Sequence, residues 1–304
     1  MTNKFDIIFD HTPAFTGVLQ VLTQFRGYLS NGTTYLTLLR PGNVLFTSIL
    51  TFIGAFVAGG SLGDLTAVAA AVFATITTVG AGNTINDYFD RHIDAINRPD
   101  RPIPSGAVEP FSAVILSLGL FGFAVLSTLF LPLVATAIVL LNTVGLAIYT
   151  PVFKPLPGVG NVAVAYLAPS YLLLGAAAVG NLSGALILFV LAALATLARE
   201  ILKDIEDLAG DRENGLRTLP IVIGKTLSHG IGLAVIITAV CLSVLPYADG
   251  TFGVSYLAFV VPANGVMLAS TTYSVRNPGM GQRWLKAGMV LAAVAFIMGR
   301  TAFL

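Results

Sequence analysis

Residues 65–87 read LTAVAAAVFATITTVGAGNTIND, an apolar run that carries no charged residue until its last position, Asp87. The hydrocarbon core of a bilayer is about 30 Å thick, and about 20 apolar residues in an α-helix are enough to cross it. This run is long enough, and it ends in polar side chains. Because lipid offers no partner for backbone polar groups, a run of this length predicts a transmembrane helix.

The rest of the chain repeats this pattern. Of its 304 residues, 56% are hydrophobic and 10% charged, against about 25% charged in typical soluble domains. The net charge of +1 does not favour nucleic acid as a partner. The single cysteine, Cys241, lies in an apolar run and is predicted to be a small buried hydrophobe. We predict an all-α integral membrane protein with roughly nine transmembrane helices, near 44–62, 65–87, 111–130, 133–150, 161–180, 183–203, 228–246, 252–272 and 286–303. The alternative is eight or fewer helices, one of them a long tilted span.

Basic residues alternate from loop to loop and predict the orientation in the membrane. Lys and Arg gather before the first span and in every second loop, whereas the turns between them carry only the acids Asp64 and Asp249. By the positive-inside rule, the N-terminus and the charged loops are cytoplasmic, and nine spans place the C-terminus outside. Residues 1–40, too polar to span, are predicted as an N-terminal segment lying in the membrane interface.

The first acidic motif follows the run quoted above. Residues 83–106 read NTINDYFDRHIDAINRPDRPIPSG. On a helix, five side chains with oxygen ligands fall within a sector of about 100°, namely Asn83, Asn86, Asp87, Asp90 and Asp94. Like charges four residues apart repel, so the arrangement favours a bound cation.

The second acidic motif lies near the end of the sixth predicted span. Residues 199–220 read REILKDIEDLAGDRENGLRTLP. If the helix continues through Gly210, a sector of about 60° holds Glu200, Asp204, Asp207 and Asp211.

Carboxylate and amide oxygens without His or Cys pairs are typical ligands of Mg²⁺. Two facing acidic motifs could hold two metal ions that bridge a diphosphate. An alternative interpretation is surface ion pairs such as Asp90 with Arg91, but adjacent residues on a helix do not face one another. The candidate ligands of the remaining phosphate oxygens are the nearby cations, Arg91, Arg98, Arg101, Lys154, Lys203 and Lys225.

These motifs resemble the UbiA superfamily of intramembrane prenyltransferases. The first matches the pattern NDxxDxxxD at Asn86, Asp87, Asp90 and Asp94, followed by RPIPSG at 101–106. The second matches the later Asp motif at Asp204, Asp207 and Asp211, in a context similar to the archaeal branch. The runs LLRPGN and YTPVFKP, which contain Arg40, Asn43, Tyr149 and Lys154, occur in the same order as in the family.

The resemblance implies one prenyltransferase domain over 1–304, with motif loops at 83–106 and 199–220. It implies a nine-helix bundle around a central cavity that opens to lipid and is capped on the cytoplasmic side. It also implies two Mg²⁺ ions and a prenyl diphosphate donor. The expected metal ligands are Asn86, Asp87, Asp90, Asp94, Asp204, Asp207 and Asp211, of which Asp90, Asp94, Asp207 and Asp211 are also assigned to catalysis. The expected pocket residues are Asn43, Asn83 and Tyr149, and the candidates for binding the acceptor are Arg26, Arg40 and Arg101.

The implied reaction is transfer of a prenyl group, geranylgeranyl by similarity to the archaeal branch, to a lipophilic acceptor. We favour an isoprenylglyceryl phosphate, which gives the second ether bond of archaeal lipids. Aromatic faces such as Tyr88, Tyr149 and Tyr166 are candidates for stabilising the allylic cation.

Other functions remain open at this point. An aromatic quinone precursor is the alternative acceptor, followed by haem or chlorophyll precursors. A cation transporter would more naturally carry its acids at mid-span. The CDP-alcohol phosphotransferases need a DGxxAR motif, which we do not find.

Overall fold

A computed structural model describes the protein over residues 32–213 and 215–301. Most of the predicted interfacial segment, including the acceptor candidate Arg26, lies outside the described residues.

The described residues form helices and no strands. Three 3-10 turns and one π-helical turn at Tyr149–Phe153 connect or extend these helices. The α-helices are α1 Gly32–Leu39, α2 Pro41–Val57, α3 Leu65–Phe89, α4 Arg91–Asn97, α5 Pro110–Ser127, α6 Leu133–Ile148, α7 Val159–Leu167, α8 Ser170–Ala178, α9 Leu186–Glu206, α10 Leu208–Glu213, α11 Leu219–Ile223, α12 Lys225–Leu242, α13 Leu245–Ala248, α14 Val254–Tyr273 and α15 Pro278–Thr301.

Several of these segments are long and apolar enough to cross a bilayer. Within the described ranges there are 7, or up to 8 if α1 and α2, which are bent by 51° at Arg40, count as one broken span. The last predicted span, 286–303, falls on α15, which is not among them and carries Arg283, Lys286 and Arg300. The all-α multi-pass architecture is therefore confirmed, and the count of nine stays a prediction.

Glycine brings α2 and α8 into backbone contact. A Cβ atom on Gly54 would lie 2.0 Å from the carbonyl oxygen of Leu172, and one on Gly175 would lie 1.8 Å from that of Thr51. Small residues permit this close approach between helices in membranes. The Oγ1 atom of Thr51 also lies 2.7 Å from that of Thr75, a buried hydrogen bond that joins α2 to α3. These contacts fix one wall of the central cavity.

The predicted span at 161–180 is broken, which the sequence analysis did not anticipate. It divides into α7 and α8 around Ala168 and Pro169, because proline has no N–H to donate to the helix. Both residues line the central cavity. Irregular backbone at membrane depth is tolerated where it is buried in protein or lines a cavity.

The outer surface of the bundle is apolar. Leu118 and Phe52 are 64% and 59% exposed, as expected of side chains that face lipid. Cys241 on α12 is exposed as well, so its predicted burial is wrong. An apolar run in a membrane helix has both a protein-facing and a lipid-facing side, and composition alone does not distinguish them.

Candidate active site

A cavity of about 500 Å³ lies at the centre of the bundle, among α2, α3, α6 to α9, α12, α14 and α15. Its walls are mainly apolar, and its volume falls in the range of about 300–1,000 Å³ typical of ligand pockets. Asn43, Asn83 and Tyr149, the three expected pocket residues, all line it, and so does Asn86. Its charged lining residues are Arg40, Arg199, Glu200, Lys203 and Lys286.

The first acidic motif crosses the junction between α3 and α4. The helix α3 ends at Phe89, yet the N–H of Asp90 still donates to the carbonyl of Asn86, and that of Asp94 to the carbonyl of Asp90, both at 2.8 Å. Helical spacing therefore continues through the junction. The convergence of these acids on a shared metal site stays a prediction.

Cations from other elements bind these acids. Asp87 accepts from Arg40 and, at 3.3 Å, from Arg101, which also donates to Asp94. The Nζ atom of Lys154 donates to both oxygens of Asp90, at 2.7 and 2.8 Å. Arg40 and Lys154 thus balance acids that are 47 and 64 residues away in sequence, and Asp90 is paired with Lys154 instead of with its neighbour Arg91.

Unusual backbone positions two of these cations. Arg40 joins α1 to α2 with φ 52°, in the left-handed region that costs energy for a residue other than glycine. The Nδ2 atom of Asn83 donates to the carbonyl of Leu39 at 2.8 Å and holds this bend. In the π-helical turn, the N–H of Lys154 donates to the carbonyl of Tyr149 at 2.9 Å. Such turns are frequent at functional sites.

The loop after α4 positions Arg101. Gly106 turns the chain with φ +75°, and the N–H of Val108 donates to the carbonyl of Pro102 at 2.9 Å. Ile103 and Val108 are buried in an apolar cluster with Leu38. This loop therefore packs against α1.

The second acidic motif crosses a break after α9. The sequence pattern required a helix that continues through Gly210. Instead, α9 ends at Glu206. The N–H groups of Asp207 and Asp211 nevertheless donate to the carbonyls four residues earlier, both at 2.9 Å, so the spacing is largely kept. Asp204 accepts from the Nδ2 atom of Asn161 at 2.8 Å.

Glu200 is the buried acid of this motif. It accepts from Arg199 at 2.7 Å and from Lys203 at 3.3 Å. Asp207 and Asp211, in contrast, form no ion pair within 4.0 Å among the described residues. Asp207 is exposed, but partial desolvation raises the pKa of its carboxyl, and the charge of Lys203 opposes this rise. Burial also raises the pKa of Asp211, and the Asp207 carboxylate raises it further.

The donor set fits a magnesium ion by its chemistry. Within the described ranges, no three His, Cys, Asp or Glu residues are close enough together to hold a metal ion by themselves. Mg²⁺ usually takes one or two carboxylates, with water and substrate phosphate completing its shell. The oxygens of Asp207 and Asp211 suit that mode. The full set of expected metal ligands stays a prediction.

Three of the cations predicted to bind the diphosphate, Arg91, Arg98 and Lys225, form no ion pair with an acid among the described residues. Arg91 donates to the carbonyl of Tyr88 at 2.8 Å and lies 4.5 Å over its ring. Arg98 is exposed, and its positive charge opposes part of the rise in the pKa of Asp207. Lys225 begins α12 and is exposed.

Of the three tyrosines proposed to stabilise a cation, one lines the cavity. Tyr149 does so, whereas Tyr166 packs edge-to-face on Phe189 with ring centroids 6.0 Å apart. Tyr88 is held beside Arg91.

Sequence reasoning missed several residues of the cavity wall. Arg199 had a usable signal, because an ionisable residue inside a span is a functional candidate by default. Tyr171 lines the cavity with its hydroxyl buried and unpartnered within the described ranges. It had no such signal, since a lone tyrosine in an apolar run looks like packing. Asn161, which bonds Asp204 and does not line the cavity, was also missed.

The fold and the site together define a class of protein. It is a multi-pass helical membrane protein with a mainly apolar central cavity, and both acidic motifs contact charged residues that line this cavity. The model of the UbiA prenyltransferase family matches residues 47–298. The chain belongs to this family and is a prenyltransferase. This favours the prenyltransferase interpretation over the cation transporter and the CDP-alcohol phosphotransferase.

Three relatives show how the similarity is distributed. Digeranylgeranylglyceryl phosphate synthase of Natronomonas pharaonis is 56% identical over 266 residues, which cover 87% of this chain and 96% of that protein. A solved structure of a digeranylgeranylglyceryl phosphate synthase superposes with a TM-score of 0.79 at 31% identity, covering 90% of this chain and 99% of that one. A UbiA homologue from Archaeoglobus fulgidus bound to DMAPP and Mg²⁺ shares the fold, with a TM-score of 0.66 at 17% identity over 88% of this chain and 98% of that one.

Proposed function

We propose that this protein transfers a geranylgeranyl group from its diphosphate to geranylgeranylglyceryl phosphate, forming the second ether bond of an archaeal membrane lipid in a Mg²⁺-dependent reaction. The observation that carries this proposal is the 56% identity to the Natronomonas pharaonis protein over nearly the whole length of both chains. The cavity supports it, because it combines apolar walls for a prenyl chain with charged groups for its phosphates. We treat residues 1–304 as one domain.

In this proposal the two acidic motifs surround the diphosphate of the donor. Asp90, Asp94, Asp207 and Asp211 are the acids assigned to catalysis, and Asn86, Asp87 and Asp204 complete the candidate metal ligands. Two Mg²⁺ ions, when bound, would neutralise the oxygens of the leaving diphosphate. The cations assigned to the diphosphate are Arg91, Arg98, Arg101, Lys154, Lys203 and Lys225.

The reaction breaks the bond between C1 of the prenyl chain and the diphosphate, which leaves with the electron pair. The glycerol hydroxyl of the acceptor forms the new bond to C1, and its proton passes to a carboxylate or to the departing phosphate. The apolar cavity walls exclude water, which would otherwise trap the allylic cation. The ring of Tyr149, at the cavity wall, can stabilise that cation by about 1–2 kcal/mol.

The arginines that are candidates for binding the acceptor differ in whether they are already paired with acids of the protein. Arg40 lines the cavity but is paired with Asp87, and Arg101 is paired with both Asp87 and Asp94. Both stay candidates, together with Arg26.

We further propose nine spans around a cavity open to lipid, with the N-terminus and the two motif loops forming a cytoplasmic cap and the C-terminus outside. The distribution of Lys and Arg supports this orientation. The length of α15, 24 residues, supports a ninth crossing.

Cysteine labelling tests this topology. After exposed Cys241 is replaced by Ser, cysteines placed at Ser105 and Asn277 should react with an impermeant reagent only from the cytoplasm. Cysteines at Asp64, Asp249 and Arg300 should react only from outside, because the helices between these positions cross the bilayer. If Asn277→Cys and Arg300→Cys react from the same side, α15 does not cross and the count of nine is wrong.

A product assay tests the proposed reaction. Purified protein with Mg²⁺ and radiolabelled geranylgeranyl diphosphate should convert geranylgeranylglyceryl phosphate to a digeranylgeranyl product and leave 4-hydroxybenzoate unchanged. The products are separated by chromatography, and a reaction with EDTA serves as the control. Prenylation of 4-hydroxybenzoate alone would replace the lipid-ether assignment with the aromatic one.

A further inference from the structure

The central cavity carries a surplus of positive charge. It is lined by four cations, Arg40, Arg199, Lys203 and Lys286, and by one carboxylate, Glu200. Arg40 is bound by an acid of the first motif, and the one lining carboxylate is shared by two of the other three cations. A mainly apolar cavity lined by more cations than carboxylates suits a ligand of negative charge.

Arg199 has bonding capacity that the described protein does not use. Its Nη1 atom donates to Glu200 at 2.7 Å, while its Nε atom is buried without a hydrogen-bond partner among the described residues. Its side chain is 26% exposed, and it lines the cavity. A guanidinium carries five N–H donors, so the bond to Glu200 leaves others that are suited to bind a phosphate oxygen in the cavity.

Lys286 reaches the same cavity from α15. Lys286 is exposed, and it forms no ion pair within the described ranges. Near the start of α15, the Nε2 atom of Gln282 donates to Glu206 at the end of α9, at 3.2 Å. One further turn along α15, about 6 Å, leads to Lys286, and one turn back along α9 leads to the level of Lys203. Lys286 thus lies near the level of Lys203, and Arg199 lies about one further turn, about 6 Å, along α9.

Of the acids of the second motif, Glu200 bonds Arg199 and lines the cavity, whereas Asp204, Asp207 and Asp211 do not line it. Around α9, Arg199 is about 80–140° away from Asp204 and Asp207. Those acids, with Asp211, are the part of α9 and α10 assigned to the donor diphosphate. A separate wall of the cavity is therefore available for a second anion.

We propose that Arg199 and Lys286 form a second anion-binding site, on the wall between α9 and α15, that binds the phosphate monoester of the acceptor lipid. This inference rests on the proposed function and assigns the acceptor phosphate to this wall instead of to Arg40 or Arg101. Two positive charges suit a phosphate monoester, which carries about −1.5 to −2 at neutral pH.

Saturation kinetics test this assignment. Lys286→Gln should raise the KM for geranylgeranylglyceryl phosphate about tenfold and leave the KM for geranylgeranyl diphosphate unchanged, because it removes binding from one substrate only. Arg199→Lys keeps a positive charge beside Glu200 but loses the planar set of guanidinium N–H donors. It should therefore also raise the KM for geranylgeranylglyceryl phosphate. Arg283→Gln is the matched control, since Arg283 is an exposed cation on α15 that does not line the cavity.

A binding measurement without donor gives a second readout. Geranylgeranylglyceryl phosphate should raise the Tm of the wild type and of Arg283→Gln, by mass action, and raise that of Lys286→Gln much less. Soluble glycerol phosphate should compete only weakly if the prenyl tail contributes to binding.

The possible outcomes separate the two proposals. If the wild type does not use geranylgeranylglyceryl phosphate, the proposed function fails. If it does, the second site is overturned by any of three results. Lys286→Gln has the same acceptor KM as the wild type, or it raises the KM for the donor instead, or Arg40→Gln selectively raises the acceptor KM by more than Lys286→Gln does.

Discussion

Replacing Asp207 by Asn is expected to lower prenyl transfer by at least about a hundredfold, with little loss of folded protein. Asn keeps the volume and removes the charge. Asp207 forms no ion pair within 4.0 Å among the described residues, so its carboxylate is free for a metal ion. Initial rates at saturating donor and acceptor, over a range of Mg²⁺ concentrations, measure the effect. If metal binding is the cause, higher Mg²⁺ should recover part of the lost activity.

The adjacent residue supplies a matched control. Like Asp207, Glu206 is exposed and does not line the cavity, but its carboxylate bonds Gln282 at 3.2 Å. Glu206→Gln removes the same charge from the same helix end and should keep near-normal turnover. Equal losses in the two variants would indicate that general negative charge matters here and would contradict a specific ligand role for Asp207.

Replacing Arg101 by Gln is expected to lower the free energy of unfolding by about 3 kcal/mol and to abolish activity. Arg101 binds both Asp94 and Asp87, whose side chains are 10% and 6% exposed. Removing one partner of a buried ion pair leaves the other charge uncompensated, which costs about 3–5 kcal/mol when burial is complete. Asp87 keeps Arg40, but Asp94 has no other cation within 4.0 Å among the described residues. Thermal unfolding in detergent measures the stability.

A second substitution separates stability from function. Adding Asp94→Asn to Arg101→Gln removes the uncompensated carboxylate, so it should restore much of the stability and none of the activity. Arg276→Gln, an exposed cation without an ion pair in the described part of the chain, controls for loss of surface charge. If Arg101→Gln is as stable as Arg276→Gln, the pairs at Arg101 do not hold this loop in place.

The sequence by itself determined that the protein lies in a membrane, that it is all-helical and that its clustered acids follow two of the helices. Apolar runs such as 65–87 must form helices in lipid, because no other open structure pairs every backbone group. The spacing of Asp90 from Asn86 and of Asp211 from Asp207 follows from helical geometry and holds even where α3 and α9 end. These features are local, so their period and composition are sufficient to predict them.

The tertiary structure decided which charges meet. Lys154 is 64 residues from Asp90 in sequence, and Arg40 is 47 residues from Asp87, so no local pattern links them. The break at Pro169 and the position of Cys241 toward lipid likewise depend on neighbouring helices. Lys286 joins the cavity of Arg199 only because α15 packs along α9. A membrane sequence shows which residues can cross the bilayer, but the side of each helix that faces the cavity is set by packing between helices.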